Sequence, residues 1–143
     1  MIKLTEIRDS VVGALASLYP EITIYDERQQ QGMKFPCFFV QLLPVVTKRY
    51  KATVNKDKVM LSIQYFSDSE STFECLEIKD SLDTVFSKSI YVSGELIRVD
   101  SVEPLVKRET KGSSINYLIT LDYYNIIEPE ETYAPMGDVK IEF

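Results

Sequence analysis

The stretch Phe35-Pro36-Cys37-Phe38-Phe39-Val40-Gln41-Leu42-Leu43 decides the fold. Seven of its nine residues are apolar, aromatic or cysteine, and both parities carry large side chains. Successive side chains of a strand point to opposite faces, so Phe35, Cys37, Phe39 and Leu43 share one face and Phe38, Val40 and Leu42 the other. A strand apolar on both sides is expected in the middle of a sheet with cover on each face. Pro36 has no N–H to give a ladder, so pairing is expected to begin just after it.

The flanking segments supply the rest of an α+β domain. Thr5 to Tyr19 reads as a helix, with Leu4, Ile7, Val11, Ala14, Leu15 and Leu18 on one stripe and Pro20 as its stop. Thr5 or the residues before it are its expected cap. Glu21–Tyr25 is a short strand, and the polar run 26–34 is a loop with Gly32 as its turn residue.

After the key stretch, Pro44 marks a break or bulge. Val45 to Asn55 reads as an extended arm or edge strand turning at Asn55-Lys56-Asp57. Lys58 to Phe66 is a strand with Val59, Leu61, Ile63 and Tyr65 on one face, which makes a long hairpin. Ser67-Asp68-Ser69-Glu70 is a helix-start signal, and a helix is expected from about Glu70 to Ser87. Cys75, Ile78, Leu82, Val85 and Phe86 form its core stripe, while Phe73 and Leu76 fall on nearly the opposite side. Either those two pack under a loop or they are a subunit contact.

Ile90–Val92 is a stub followed by a Ser93-Gly94 turn. Leu96 to Lys107 reads as a strand interrupted near Pro104. After a turn over 109–113, Ile115 to Ile127 is the longest strand, with Ile115, Tyr117, Ile119, Leu121, Tyr123 and Ile127 on one face. These two strands form a second long hairpin. The expected architecture is therefore one mainly antiparallel sheet with two helices packed on it, spanning residues 1–127. Residues 128–143 read as an acidic tail whose end, Val139–Phe143, alternates like a strand able to join a neighbour's sheet.

Composition narrows the function. Apolar content of 45% with 27% charged residues is that of a soluble globular domain, and 143 residues suffice for one. A net charge of −6 opposes a general nucleic-acid or anionic-membrane surface. No run approaches a membrane span, and the amphipathic N-terminus does not read as a signal peptide. Cys37 and Cys75 have no paired-spacing motif and read as reduced, buried residues of a cytosolic protein.

Histidine is absent altogether, which removes Ser-His, Cys-His and His-ligated metal chemistry. The five glycines never form a phosphate-binding loop. Each acidic cluster has a plain setting, either the tail or a helix start, so neither a catalytic residue, a metal site nor a cofactor is expected. The basic run Lys48-Arg49-Tyr50-Lys51 interleaves charge with an aromatic, and a lysine-protected edge strand accounts for it better than nucleic-acid contact.

The order of segments carries a resemblance. A helix opening Leu4-Thr5-Glu6-Ile7-Arg8, the strand Ile22–Asp26, the loop ending Gln31-Gly32-Met33-Lys34 and the stretch Phe35–Gln41 follow one another. After them come Arg49-Tyr50-Lys51, Ile63–Phe66 and a helix containing Glu74-Cys75-Leu76-Glu77. Together these resemble the small tail terminator (tail completion) proteins of tailed phages, particularly those of phage-like and defective-prophage elements in Gram-positive bacteria.

The resemblance implies a structural subunit in the virion tail, assembled in the host cytoplasm, and no enzyme. It implies a homo-oligomeric ring, usually a hexamer, on the head-proximal end of the tail tube. That ring ends tube polymerisation and meets the tube protein, the head–tail connector and, in contractile tails, the sheath. From pattern alone, Lys48, Arg49, Tyr50 and Lys51 on the arm and Phe73 and Leu76 on the second helix are the candidate subunit interface. The competing readings are another connector or tube component, and a cytosolic acidic module that binds a basic partner.

Overall fold

The computed structural model describes residues 2–25, 34–68, 71–109 and 112–126. The order is α1 (Leu4–Leu18), β1 (Thr23–Tyr25), β2 (Cys37–Lys51), β3 (Val54–Ser67), α2 (Phe73–Phe86), β4 (Ser89–Val92), β5 (Glu95–Glu109) and β6 (Gly112–Ile126). The strands form one sheet in the order β1-β2-β3-β6-β5-β4, antiparallel except for the β1–β2 pair. This is the expected α+β fold with two helices and two long hairpins. The acidic tail and the strand-like end at Val139–Phe143 lie outside the described residues.

Both helices pack on one face of the sheet. Ile7, Val11 and Leu15 of α1 and Cys75, Ile78, Leu82 and Phe86 of α2 are buried in one cluster with alternate residues of the strands. Register explains which residues those are: Phe38 faces Tyr65, which faces Ile115, and Val40 faces Ile63, which faces Tyr117. Directly opposed residues lie on the same face, so each rung adds a complete apolar layer beneath the helices.

The key strand is not central. β2 is second from the edge, and the middle of the sheet is the β3–β6 pair. Nor, among the described residues, does a second layer of helices cover its other face. There Cys37, Phe39 and Phe66 form a small cluster closed by Tyr25. The rings of Phe39 and Phe66 meet edge to face at 5.5 Å, and Phe35 stacks on Phe66 at 6.4 Å. Two-sided apolarity reflects this local aromatic patch rather than a second helix layer. Pairing does begin at Cys37, immediately after Pro36, which follows a cis peptide bond.

The two prolines that lie within strands, Pro44 and Pro104, sit near sheet edges, where a missing N–H is tolerated. Among the described residues β1 pairs only with Cys37–Phe39, which leaves the rest of β2 at the sheet edge with Pro44 on it beside a bulge. β4 pairs only as far as Arg98, so Pro104 lies on the free half of β5, which it does not interrupt. The β2–β3 hairpin turns at Ala52-Thr53 rather than at Asn55–Asp57, because β2 continues past its proline. The β4–β5 turn is Ser93-Gly94, both at positive φ (49° and 83°), the backbone of a two-residue hairpin whose twist suits its strands.

The helices differ slightly from expectation. α2 starts at Phe73, and Val85 of its expected core stripe is exposed. Thr5 lies inside α1. At that helix's start the Glu6 carboxylate accepts the Lys3 N–H at 2.8 Å. That bond, and a further one from Ser93, hold the Glu6 carboxyl below its ordinary range.

Candidate functional site

The expected interface residues fall into two patches at opposite ends of the molecule. Lys48, Arg49, Tyr50 and Lys51 lie on the outer half of β2, where every residue from Leu43 to Lys51 is exposed. Among the described residues only β3 pairs with this half, and the buried core beneath the helices does not extend along it.

The projecting end is ordered by its own contacts. Arg49 donates to the Ala52 carbonyl at 3.3 Å across the turn. Tyr50 packs against Tyr124 of β6 with ring centroids 5.2 Å apart. The Lys51 ammonium lies 5.6 Å from the Tyr50 ring centre, and Lys56 lies 5.8 Å from that of Tyr124. Lys56 also faces Asp122 at 3.9 Å. The pairing of Tyr50 with Tyr124 depends on strand register and carries no local signal in the sequence.

The second patch is at the start of α2. Phe73 and Leu76 are 67% and 49% exposed, which removes the reading that they pack under a loop. The helix itself is firmly docked. Tyr65 donates to the Glu74 carboxylate at 2.8 Å, and Ser67 donates to its other oxygen at 2.8 Å. Tyr117 donates to Asp83, which also pairs with Lys79 at 2.6 Å. Burial raises the Asp83 pKa, but the bonds from Lys79 and Tyr117 outweigh it and the carboxyl titrates below its ordinary value. Phe73 and Leu76 therefore project from a fixed base. β3 separates the two patches, since its 14 residues run from the hairpin turn to the approach to α2. At about 3.3 Å per residue that is on the order of 40 Å.

Among the described residues no element covers the middle of the sheet face away from the helices. It presents Ser62 and Gln64 of β3, Asn116, Leu118 and Thr120 of β6, and Glu103 and Leu105 of β5. Ser62 and Asn116 bridge the central pair at 2.7 Å. Among the described residues no group of three or more His, Cys, Asp or Glu side chains is placed to hold a metal ion, and no helix is long and apolar enough to cross a membrane. Cys37 and Cys75 are free and buried, and burial pushes the Cys37 thiol up to about 11.

An α+β domain with helices on one sheet face and exposed patches at both ends, one basic and aromatic and the other apolar, has the anatomy of an assembly subunit. Comparison with known families gives the class a name. The chain belongs to the phage tail terminator protein family, whose model matches residues 6–133. It is thus a structural component of a phage tail. No curated protein matches the chain. A solved structure is similar to it over 88% of this chain and 94% of its own, at 14% identity and a TM-score of 0.47.

Proposed function

We propose that this protein closes the head-proximal end of the tail tube as a homo-oligomeric ring, halting tube growth and presenting the surface on which the head docks. One observation carries the reading: the two exposed patches lie at opposite ends of β3. A cyclic ring is built from heterologous contacts, in which one patch of a copy meets a different patch of the next. The Lys48–Lys51 end of one copy and the Phe73/Leu76 end of its neighbour are such a pair. Their charges also suit each other, because Asp68 and Glu77 are exposed near the start of α2 while Lys48 and Lys51 are exposed on the arm.

The test is to delete the gene from the phage genome that encodes it and image the particles by negative stain. Overlong or irregular tails without heads are the expected result. Tails of normal, fixed length overturn the proposal. Complete loss of tails would make the protein a tube or assembly component instead. Removing residues 128–143 separates the acidic-module reading: a ring subunit keeps its assembly without them, whereas a module loses its partner.

A further inference from the structure

Beneath the N-terminal end of α1 lies a cavity of about 490 Å³ that the two patches do not include. Its walls come from Ile2–Thr5, from Thr47 of β2, from Asn55 and Asp57 of β3 and from Tyr123 and Asn125 of β6. On β3 the core ends at Val59 and on β6 at Tyr123; beyond Val59 the same face carries Asp57, opposite Tyr123, and then the polar rung Asn55–Asn125.

Asn125 is buried and spends its amide on neighbours. It accepts the Ile2 N–H at 2.9 Å and donates to Asp57 Oδ2 at 2.7 Å. What remains is two acceptors. The Oδ1 atoms of Asp57 and Asn55 are buried within half-buried side chains, and among the described residues neither has a hydrogen-bond partner. They lie two residues apart on one strand and so project to the same side. A buried acceptor left unpaired is costly, and a carboxylate oxygen more so. Lys3 and Lys58 also line the cavity, yet among the described residues neither forms an ion pair with Asp57.

We infer that this cavity is a socket for a guanidinium group, and that the group is Arg108 of a second copy. The inference rests on the head-to-tail ring proposed above and adds its polar contact. Arg108 is exposed and lies on the helix-bearing face, opposite Ser113, which touches Cys75 of α2. It therefore belongs to the Phe73/Leu76 end of the molecule, while the socket belongs to the arm end. Among the described residues it forms no ion pair. A planar fork of N–H donors with no acceptor is the complement of two fixed oxygens, one of them charged. A contact that brings the arm of one copy to α2 of the next brings Arg108 to the mouth of that socket.

Complementation of the gene deletion tests this with four variants: Asp57→Arg, Asn55→Leu, Arg108→Glu, and the exchange Asp57→Arg with Arg108→Asp. Each single variant should lose fixed tail length while the purified protein keeps its melting temperature, and the exchange should restore it. Asn55→Leu keeps the Asp57–Asn125 bond, so it carries the test if Asp57→Arg impairs folding. Single variants that support normal tails overturn the socket and leave the ring standing. Folded single variants that fail, with an exchange that also fails, overturn the Arg108 pairing. If the deletion itself leaves tail length unchanged, the ring reading falls and the socket with it.

Discussion

Glu74 is the joint between α2 and the sheet, and removing it tests how the helix is held. Its two carboxylate oxygens accept one bond each from Tyr65 and Ser67. Tyr65 is only 2% exposed, so its hydroxyl is largely shielded from bulk water. A hydrogen bond to a charged group contributes about 1.5–3 kcal/mol, and stranding a buried hydroxyl costs about 1–3 kcal/mol. Glu74→Ala loses both bonds and strands the phenol, so about 3 kcal/mol of stability should disappear. Tyr65→Phe removes one bond and leaves Glu74 with Ser67, which should cost about 1.5 kcal/mol.

The decisive quantity is the coupling. In the Glu74→Ala background the hydroxyl is already unsatisfied, so adding Tyr65→Phe should cost about nothing or return a little stability. Urea denaturation followed by circular dichroism measures all four corners of this cycle. Tyrosine emission serves as a second probe, since the chain has no tryptophan to mask it. A Glu74→Ala cost below about 0.5 kcal/mol, the range of ordinary surface changes, would refute the joint. So would a Tyr65→Phe effect of equal size in both backgrounds.

Other outcomes follow from the same geometry. Leu82→Ala, at a site with no exposure, should cost about 2–5 kcal/mol, whereas Leu76→Asp on the outer face should change stability by less than about 0.5 kcal/mol while blocking assembly; calorimetry and particle imaging check the pair. Asp83 has a folded pKa below its unfolded one, so its contribution is present above the ordinary carboxylate range and is lost as pH falls through the folded value; Asp83→Asn should flatten the acid limb of a stability–pH curve. Burial and then Asp57 raise the Tyr123 phenol to about 12, so its contribution is complete below the ordinary pKa near 10 and is lost as pH rises toward 12; Tyr123→Phe should shift alkaline unfolding upward, read by circular dichroism. Both cysteines are buried, so an aromatic disulfide reagent at pH 8 should modify neither until denaturant is added.

Much of this was legible because it is carried by period and punctuation. Val59, Leu61, Ile63 and Tyr65 alternate, as do Ile115 through Tyr123, and all of them are buried under the helices. The Ser93-Gly94 turn and the Pro44 bulge were announced by their residues. Strand order was not, because pairing partners leave no mark on a single strand: Phe35–Leu43 looks central yet lies beside a three-residue edge strand. Length misled as well, since a proline on an unpaired edge costs no ladder bond and β2 and β5 run through theirs. At the candidate site, the exposure of Phe73 and Leu76 followed from their angle on α2. The Tyr50–Tyr124 contact and the cavity at Asn55 and Asp57 depend on register between strands about 70 residues apart, and no local signal encodes that.

The sheet order has a kinetic consequence. β2–β3 is a local hairpin, and so are β4–β5 and β5–β6, but the β3–β6 seam joins Val54 to Ile126. Closing so long a loop costs entropy before the seam's bonds offset it, so the two halves form early and the seam zips last. Each half carries its own helix, and the seam buries the apolar rungs that only the other half can cover. A chain divided between residues 68 and 71 should therefore reassemble when its fragments are co-expressed, and mutations along the seam should slow folding less than they speed unfolding.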